Sequence, residues 1–181
     1  TLLVMASTSA ILSAARSDLP FDMLRDFVHI TKLVDVPLAL GLAPTVKAQS
    51  LAEFLALAKA APGKFTYGSP GNASPQHLIG EQMKQQLGLD MIHVPHRDHA
   101  IAVQNLVGGH VDMMVTSVTS LLPLSQAGKL SLHAITGAKR TTLAPNLPTF
   151  GELGHAYLVD MAGWYVVSAP AATPAATVTR L

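Results

Sequence analysis

The sequence predicts an α/β fold, on three observations. Short runs rich in branched residues recur, among them Leu2 to Met5, Pro37 to Ala43, Val111 to Val115 and Leu130 to Ile135. Ala- and Leu-rich stretches of helical period lie between them, and Gly, Pro and Ser mark the junctions. Strands alternating with helices predict largely parallel pairing, with ligands collecting at the carboxyl ends of the strands.

Taken in order, Leu2 to Met5 is continuously apolar, the mark of a strand covered on both faces. A polar loop, Ser7-Thr8-Ser9, and an Ala-rich helix to Ala15 follow, and Asp18 to Asp22 breaks that helix. Phe27 to Val34 and Pro37 to Ala43 read as strands. Ser50 with Glu53 three residues later makes a capping box for a helix over Leu51 to Ala60, with Leu51, Leu55 and Ala58 on one face. Lys64 to Tyr67 is a short strand, and a helix begins at Leu78. Met91 to Val94 is a strand, Ala100 to Val107 a helix, Val111 to Val115 a strand, and Leu121 to Ala127 a helix. Leu130 to Ile135 is a strand, Phe150 to Leu153 a short helix, and Trp164 to Ser168 a final strand. Ala169 to Thr177 reads as an exposed tail.

The 181 residues suffice for one domain or two small lobes. With 13% charged residues and a net charge of +1, there is no electrostatic case for nucleic acid. The absence of cysteine excludes disulfides, thiolate zinc sites and cysteine nucleophiles. No apolar run approaches the ~18–20 residues of a membrane-crossing helix. The opening Thr1 to Ala6 lacks the basic region and initiating Met of a signal peptide, so a buried strand at the very start suggests a fragment.

The stretch Gly68-Ser-Pro-Gly-Asn-Ala-Ser-Pro-Gln-His77 carries the candidate chemistry. A strand, a Gly/Ser turn and a helix make an anion site, because the first helical turn has unpartnered N–H groups and partial positive charge. Ser74 suits the N-cap and Pro75 the first helical position. Ser69, Gly71, Asn72 and Ser74 supply neutral hydrogen-bonding groups, and His77 stands at the first turn. The stretch is neither a Walker A loop nor a dinucleotide fingerprint, and a plain helix-capping turn would look the same. His93, His96 and His99 recur every third residue; three imidazoles could hold a metal, but hydrogen-bonded histidines are the default. Trp164 either walls a cleft or joins the core. No Asp or Glu lies in the three polar loops, Ser7 to Ser9, Gly68 to Ser74 and Thr116-Ser117, so acid–base catalysis has no obvious carboxylate.

Tyr67 to His77 resembles the ligand loop of the tripartite tricarboxylate transporter substrate-binding proteins, the Bordetella uptake (Bug) family. Val94-Pro-His-Arg97, Leu106-Val-Gly-Gly-His-Val-Asp112, Ala127-Gly-Lys-Leu130, Ala138-Lys-Arg140, Leu147-Pro-Thr-Phe150 and Trp164-Tyr-Val166 to Ala169-Pro170 follow in that family's order. Asp26-Phe-Val28 and Leu51-Ala-Glu-Phe54 fit as well. The resemblance implies a periplasmic, two-lobed binding protein of the Venus-flytrap (type II) kind, not an enzyme, serving the membrane subunits of a tripartite transporter. It implies a first lobe truncated at both chain ends, over residues 1–45 and 164–181, and a second lobe over 46–163. A small carboxylate, a di- or tricarboxylate or an aromatic acid, would sit between the lobes. Ser7 and Thr8 of the first lobe and Ser69, Gly71, Asn72, Ser74 and His77 of the second would hold it, with Thr116, Ser117 and Trp164 lining the cleft. No metal and no cofactor are implied. Thr116-Ser117 departs from the family's Phe-Asp-Asn, and His96 from its Tyr, which leaves the solute open. An α/β hydrolase using a loop serine and a ligand-sensing regulatory module remain the alternatives.

Overall fold

The computed structural model describes residues 1–181, and the chain divides into two compact units. Unit 1 comprises residues 1–36 and 163–181; unit 2 comprises residues 37–162.

Unit 1 carries strands β1 (Leu3–Ala6), β2 (Phe27–Val36) and β8 (Gly163–Pro170), with helices α1 (Ser7–Ala15) and α6 (Ala175–Arg180). The strands form one sheet in the order β1-β8-β2, antiparallel at both ladders. Met5, Met23 and Val166 form its small core, with Phe27 and Trp164 packed against them. Three expectations change here. The first strand is an edge strand, not one covered on both faces: Leu2, Leu3 and Val4 are all exposed. Ser7, Thr8 and Ser9 are the first turn of α1 and not a loop, since the backbone turns helical straight after Ala6. The expected exposed tail ends in α6, for which Pro174 is the N-cap.

Unit 2 carries β3 (Leu38–Leu42), α2 (Leu51–Ala60), β4 (Thr66–Ser69), α3 (Pro75–Leu87), β5 (Ile92–Pro95), α4 (His99–Val107), β6 (Met113–Ser117), α5 (Val118–Gln126) and β7 (Ser131–Ile135). Its sheet runs β5-β4-β6-β3-β7. β4 pairs parallel with β5 and β6, whereas β3 pairs antiparallel with β6 and β7. Four strands thus point one way and β3 alone is reversed. The expected parallel sheet therefore holds for β5, β4, β6 and β7 only. β3 enters straight from β2 through Pro37 and lies between β6 and β7, not beside β4, so helix α2 joins it to β4 without making the two parallel neighbours.

β3 also moves the expected lobe boundary. Residues 37–45, expected in the first lobe, belong to unit 2: all five residues of β3 are buried between β6 and β7. Ala39, Leu106, Met114, Val118, Leu121 and Ile135 are among the residues that build the core around it. The capping box of α2 forms as the sequence predicts, with the Ser50 side chain accepting from the Glu53 N–H. Phe54 joins Leu51, Leu55 and Ala58 on its buried face. No helix is long and apolar enough to cross a membrane.

Candidate functional site: the loop between β4 and α3

The parallel strands β5, β4 and β6 each run into a helix, so α4, α3 and α5 all begin at one edge of the unit 2 sheet. The loop from Pro70 to Ser74 lies at that edge. Gly68 and Ser69, expected in the turn, complete β4 instead, and Ser69 is fully buried.

Hydrogen bonds fix the loop from inside. Ser69 Oγ accepts the Gly71 N–H at 3.1 Å and lies 2.7 Å from His93 Nε2. Ser74 caps α3, accepting from the His77 N–H at 3.2 Å, and its hydroxyl donates to the Gly71 carbonyl at 2.8 Å. The Ala73 N–H donates to His77 Nδ1 at 3.2 Å. Gly71 has φ 132°, a region open to glycine, and Ala73 has φ 59°, the one positive value outside glycine. Pro75 has no N–H, and the Asn72 and Gln76 N–H groups have no partner within the chain. Asn72 is exposed. The result is an outward-facing edge of N–H groups at a helix N-terminus, with no Lys or Arg between residues 68 and 77.

Behind the loop stands a stack of rings. Tyr67 and His93 are neighbours across the β4–β5 ladder and stack with centroids 4.8 Å apart. His77 lies 4.2 Å from His93. The buried Tyr67 hydroxyl donates to Glu81, which also receives Lys84 at 3.0 Å. Burial first, and then Glu81, push the Tyr67 phenol above its ordinary value. Burial pushes the Glu81 carboxyl up, but Tyr67 and Lys84 together outweigh it and hold it below the usual range. Burial lowers His93 from 6.5 to about 4, so its ring is neutral near pH 7.

The three periodic histidines have separate partners. His93 meets Ser69, as above. His96 Nδ1 donates to the Ser69 carbonyl at 3.3 Å, which leaves Nε2 to accept from Asn105 at 2.7 Å. His99 lies between Ser120 Oγ at 3.2 Å and Thr116 Oγ1 at 3.4 Å. No three or more potential metal ligands gather at one point.

Of the remaining expected site residues, Thr116 is fully buried in β6 and faces His99, so it does not present its hydroxyl to solvent. Ser117 stands at the start of α5 and its hydroxyl meets that of Thr119 at 2.6 Å. Ser7, Thr8 and Trp164 belong to unit 1. There Ser7 is buried close to Gly163, and Trp164 is half-buried against the Met5 cluster. Sequence spacing did not reveal Tyr67 and His93 as supports of the loop, because their contact depends on strand register. Thr136 was also missed. It is fully buried, and its hydroxyl and N–H both bond to Leu38 where β3 enters the sheet.

Chemically, Ser69 with His93 resembles a nucleophile–base pair, but no carboxylate hydrogen-bonds His93 and the serine is closed off from solvent. The arrangement can bind an anion through neutral donors; it lacks the orienting acid of a hydrolase.

Comparison with known proteins adds to this geometry. The family model described as tripartite tricarboxylate transporter family receptor matches residues 1–181. Protein BugT of Bordetella pertussis is 32% identical over 174 residues, which is 94% of this chain and 53% of that one. A solved structure described as a periplasmic transporter is 32% identical, with TM-score 0.89, covering 99% of this chain and 60% of its own. R. palustris Rpa4515 with adipate is 27% identical, with TM-score 0.87, at the same two coverages of 99% and 60%. The chain thus spans about half the length of BugT, at 53%, and 60% of these solved chains.

Proposed function

This chain belongs to the tripartite tricarboxylate transporter receptor family, and on that premise we propose that it captures a small carboxylate outside the cytoplasm for a tripartite membrane transporter. The observation that carries the reading is the loop from Pro70 to Ser74, with unpartnered N–H groups of Asn72 and Gln76 at the start of α3. Main-chain donors at a helix end suit a carboxylate, and they need no cation beside them. The adipate bound by the R. palustris relative supports a dicarboxylate. Extracytoplasmic placement follows from the family and from the relative described as a periplasmic transporter. Ser69, Gly71, Ser74 and His77 shape the loop; Asn72 is its exposed ligand contact; Ser117 flanks it from the start of α5. Ser7, Thr8 and Trp164 are the contributions proposed for unit 1. The chain acts as a receptor and not as an enzyme, a reading that the receptor family supports.

Titration calorimetry against linear dicarboxylates from malate to adipate, tricarboxylates and aromatic acids tests this reading. One acid should bind one-to-one, and Asn72→Ala should weaken it by ~1–3 kcal/mol, the cost of a lost hydrogen bond to a charged group. Binding of an uncharged solute, with none of the acids bound, would overturn it. Ester hydrolysis abolished by Ser69→Ala would instead revive an enzymatic role.

A further inference from the structure

We propose that His77 and His93 are positioning residues for the ligand loop, and that the loop keeps its shape only while the His77 ring is neutral. The inference rests on the carboxylate-receptor reading above and assigns these two side chains a task within it.

The Ala73 N–H points at His77 Nδ1, 3.2 Å away. A ring nitrogen that accepts an N–H carries no proton, so the His77 proton resides on Nε2. Ala73 has a left-handed backbone, at φ 59°, which a residue with a Cβ adopts where its surroundings hold it. His77 is therefore the strut for the strained residue between Asn72 and Ser74. His93 braces the other end of the loop: its ring lies 4.2 Å from that of His77, tilted by 30°, and its Nε2 meets Ser69 Oγ, which holds Gly71. Tyr67 from β4 backs His93 at 4.8 Å and is tied to Glu81 of α3.

The charged and titratable groups around this pair are Tyr67 from β4, Glu81 and Lys84 from α3, and His96 after β5. Glu81 already serves Tyr67 and Lys84. A proton arriving on His77 Nδ1 would replace an acceptor with a donor and leave the Ala73 N–H unpaired. It would also place positive charge at the positive end of α3. The loop would lose its left-handed turn, and with it the placement of the Asn72 and Gln76 N–H groups.

Direct contact between His77 and a carboxylate predicts the opposite pH dependence, since an imidazolium would grip the anion more tightly in acid. The experiment uses the full chain, its His77→Asn and His93→Phe variants, nitrogen NMR of the rings and amides, and adipate as probe. Asn Oδ1 keeps an acceptor near the place of Nδ1 without titrating. Comparing wild type with H77N at each pH cancels protonation of the probe itself.

Across measurements from about pH 8 to about pH 5 we expect the Ala73 amide signal to follow the His77 ring signals, and the neutral ring to be in its Nε2–H form. That signal should stay still in H77N. The adipate affinity of wild type relative to H77N should fall by about tenfold over the same window, as for one lost hydrogen bond. In H93F the Gly71 amide should exchange faster while the Ala73 response persists. A proton on Nδ1 at about pH 8, an Ala73 amide indifferent to pH, or a relative affinity that rises towards acid would each overturn the proposal. If Ala73 follows His77 yet neither protein binds any acid in the panel above, the positioning role stands and the carboxylate reading fails.

Discussion

Helix α3 passes so close to the Tyr67 ring that Gly80 has no room for a side chain. A Cβ added there would sit 2.2 Å from the ring, which is buried and tied to Glu81. Gly80→Ala would gain ~1 kcal/mol of helix propensity, but overpacking a core costs ~1–3 kcal/mol, and a ring held at both its face and its hydroxyl has little freedom to move. A net loss of up to ~2 kcal/mol is expected, measured by urea unfolding. Asp112 is the counterpart among polar residues. Its carboxylate accepts both the N–H of Thr66 at 2.8 Å and its hydroxyl at 2.9 Å. Asp112→Ala should cost ~1–3 kcal/mol by leaving the Thr66 N–H unpaired. His93 makes stability pH-dependent. Its folded value of about 4 lies below the ordinary 6.5, so the unfolded chain binds the proton first and stability falls as pH drops through that window. The urea midpoint should decline from pH 6.5 towards 4, and decline less in His93→Gln, which does not titrate.

At the scale of elements, α3 was the most legible part of the chain. Its end at Gly88, in a left-handed turn at φ 63°, was not read, whereas Ser74 caps it and Pro75 begins it, as the sequence predicts. These are local signals, carried by residues within four positions of one another, and so they survive without knowledge of the fold. Two substitutions separate capping from ligand capture. Ser74→Ala should lower stability by ~1 kcal/mol, whereas Ser74→Asp keeps a capping acceptor, and a negative charge suits a helix N-terminus. Ser74→Asp should nevertheless weaken acid binding, because its carboxylate cannot donate to the Gly71 carbonyl as the hydroxyl does, and its charge repels an anion at the same helix end; calorimetry beside urea unfolding reads both effects. Elements whose character depends on distant neighbours were less legible. Leu2 to Met5 has the composition of a buried strand, yet β1 lies at an edge because β8 covers only one of its sides. Thr116 and Ser117 looked like a loop, but β3 pairs with both and draws them into β6. The stack of Tyr67 on His93 followed from register, which spacing along one strand does not encode.

For the whole molecule, the alternation of strands and helices announced the α/β class, but not the reversed strand β3. Its Leu38, Leu40 and Leu42 are buried. At ~1.5–3 kcal/mol for each buried Leu, their loss rivals the ~5–15 kcal/mol that stabilises a typical domain. A fragment of residues 37–162 should therefore unfold cooperatively in urea, and one of residues 46–162, cut at the boundary expected from sequence, should not.

The position of β8 between β1 and β2 also sets an order of events in time. Leu3 pairs with Ser168 and Phe27 with Pro170, so both earlier strands wait for residues more than 140 positions later in the sequence. At ~5–20 residues per second of synthesis, that wait is on the order of ten seconds or more. Unit 2 is complete in sequence before β8 emerges from the ribosome, whereas β1 and β2 have no partner strand until then. A nascent chain of this kind offers chaperones an early, unpaired apolar segment.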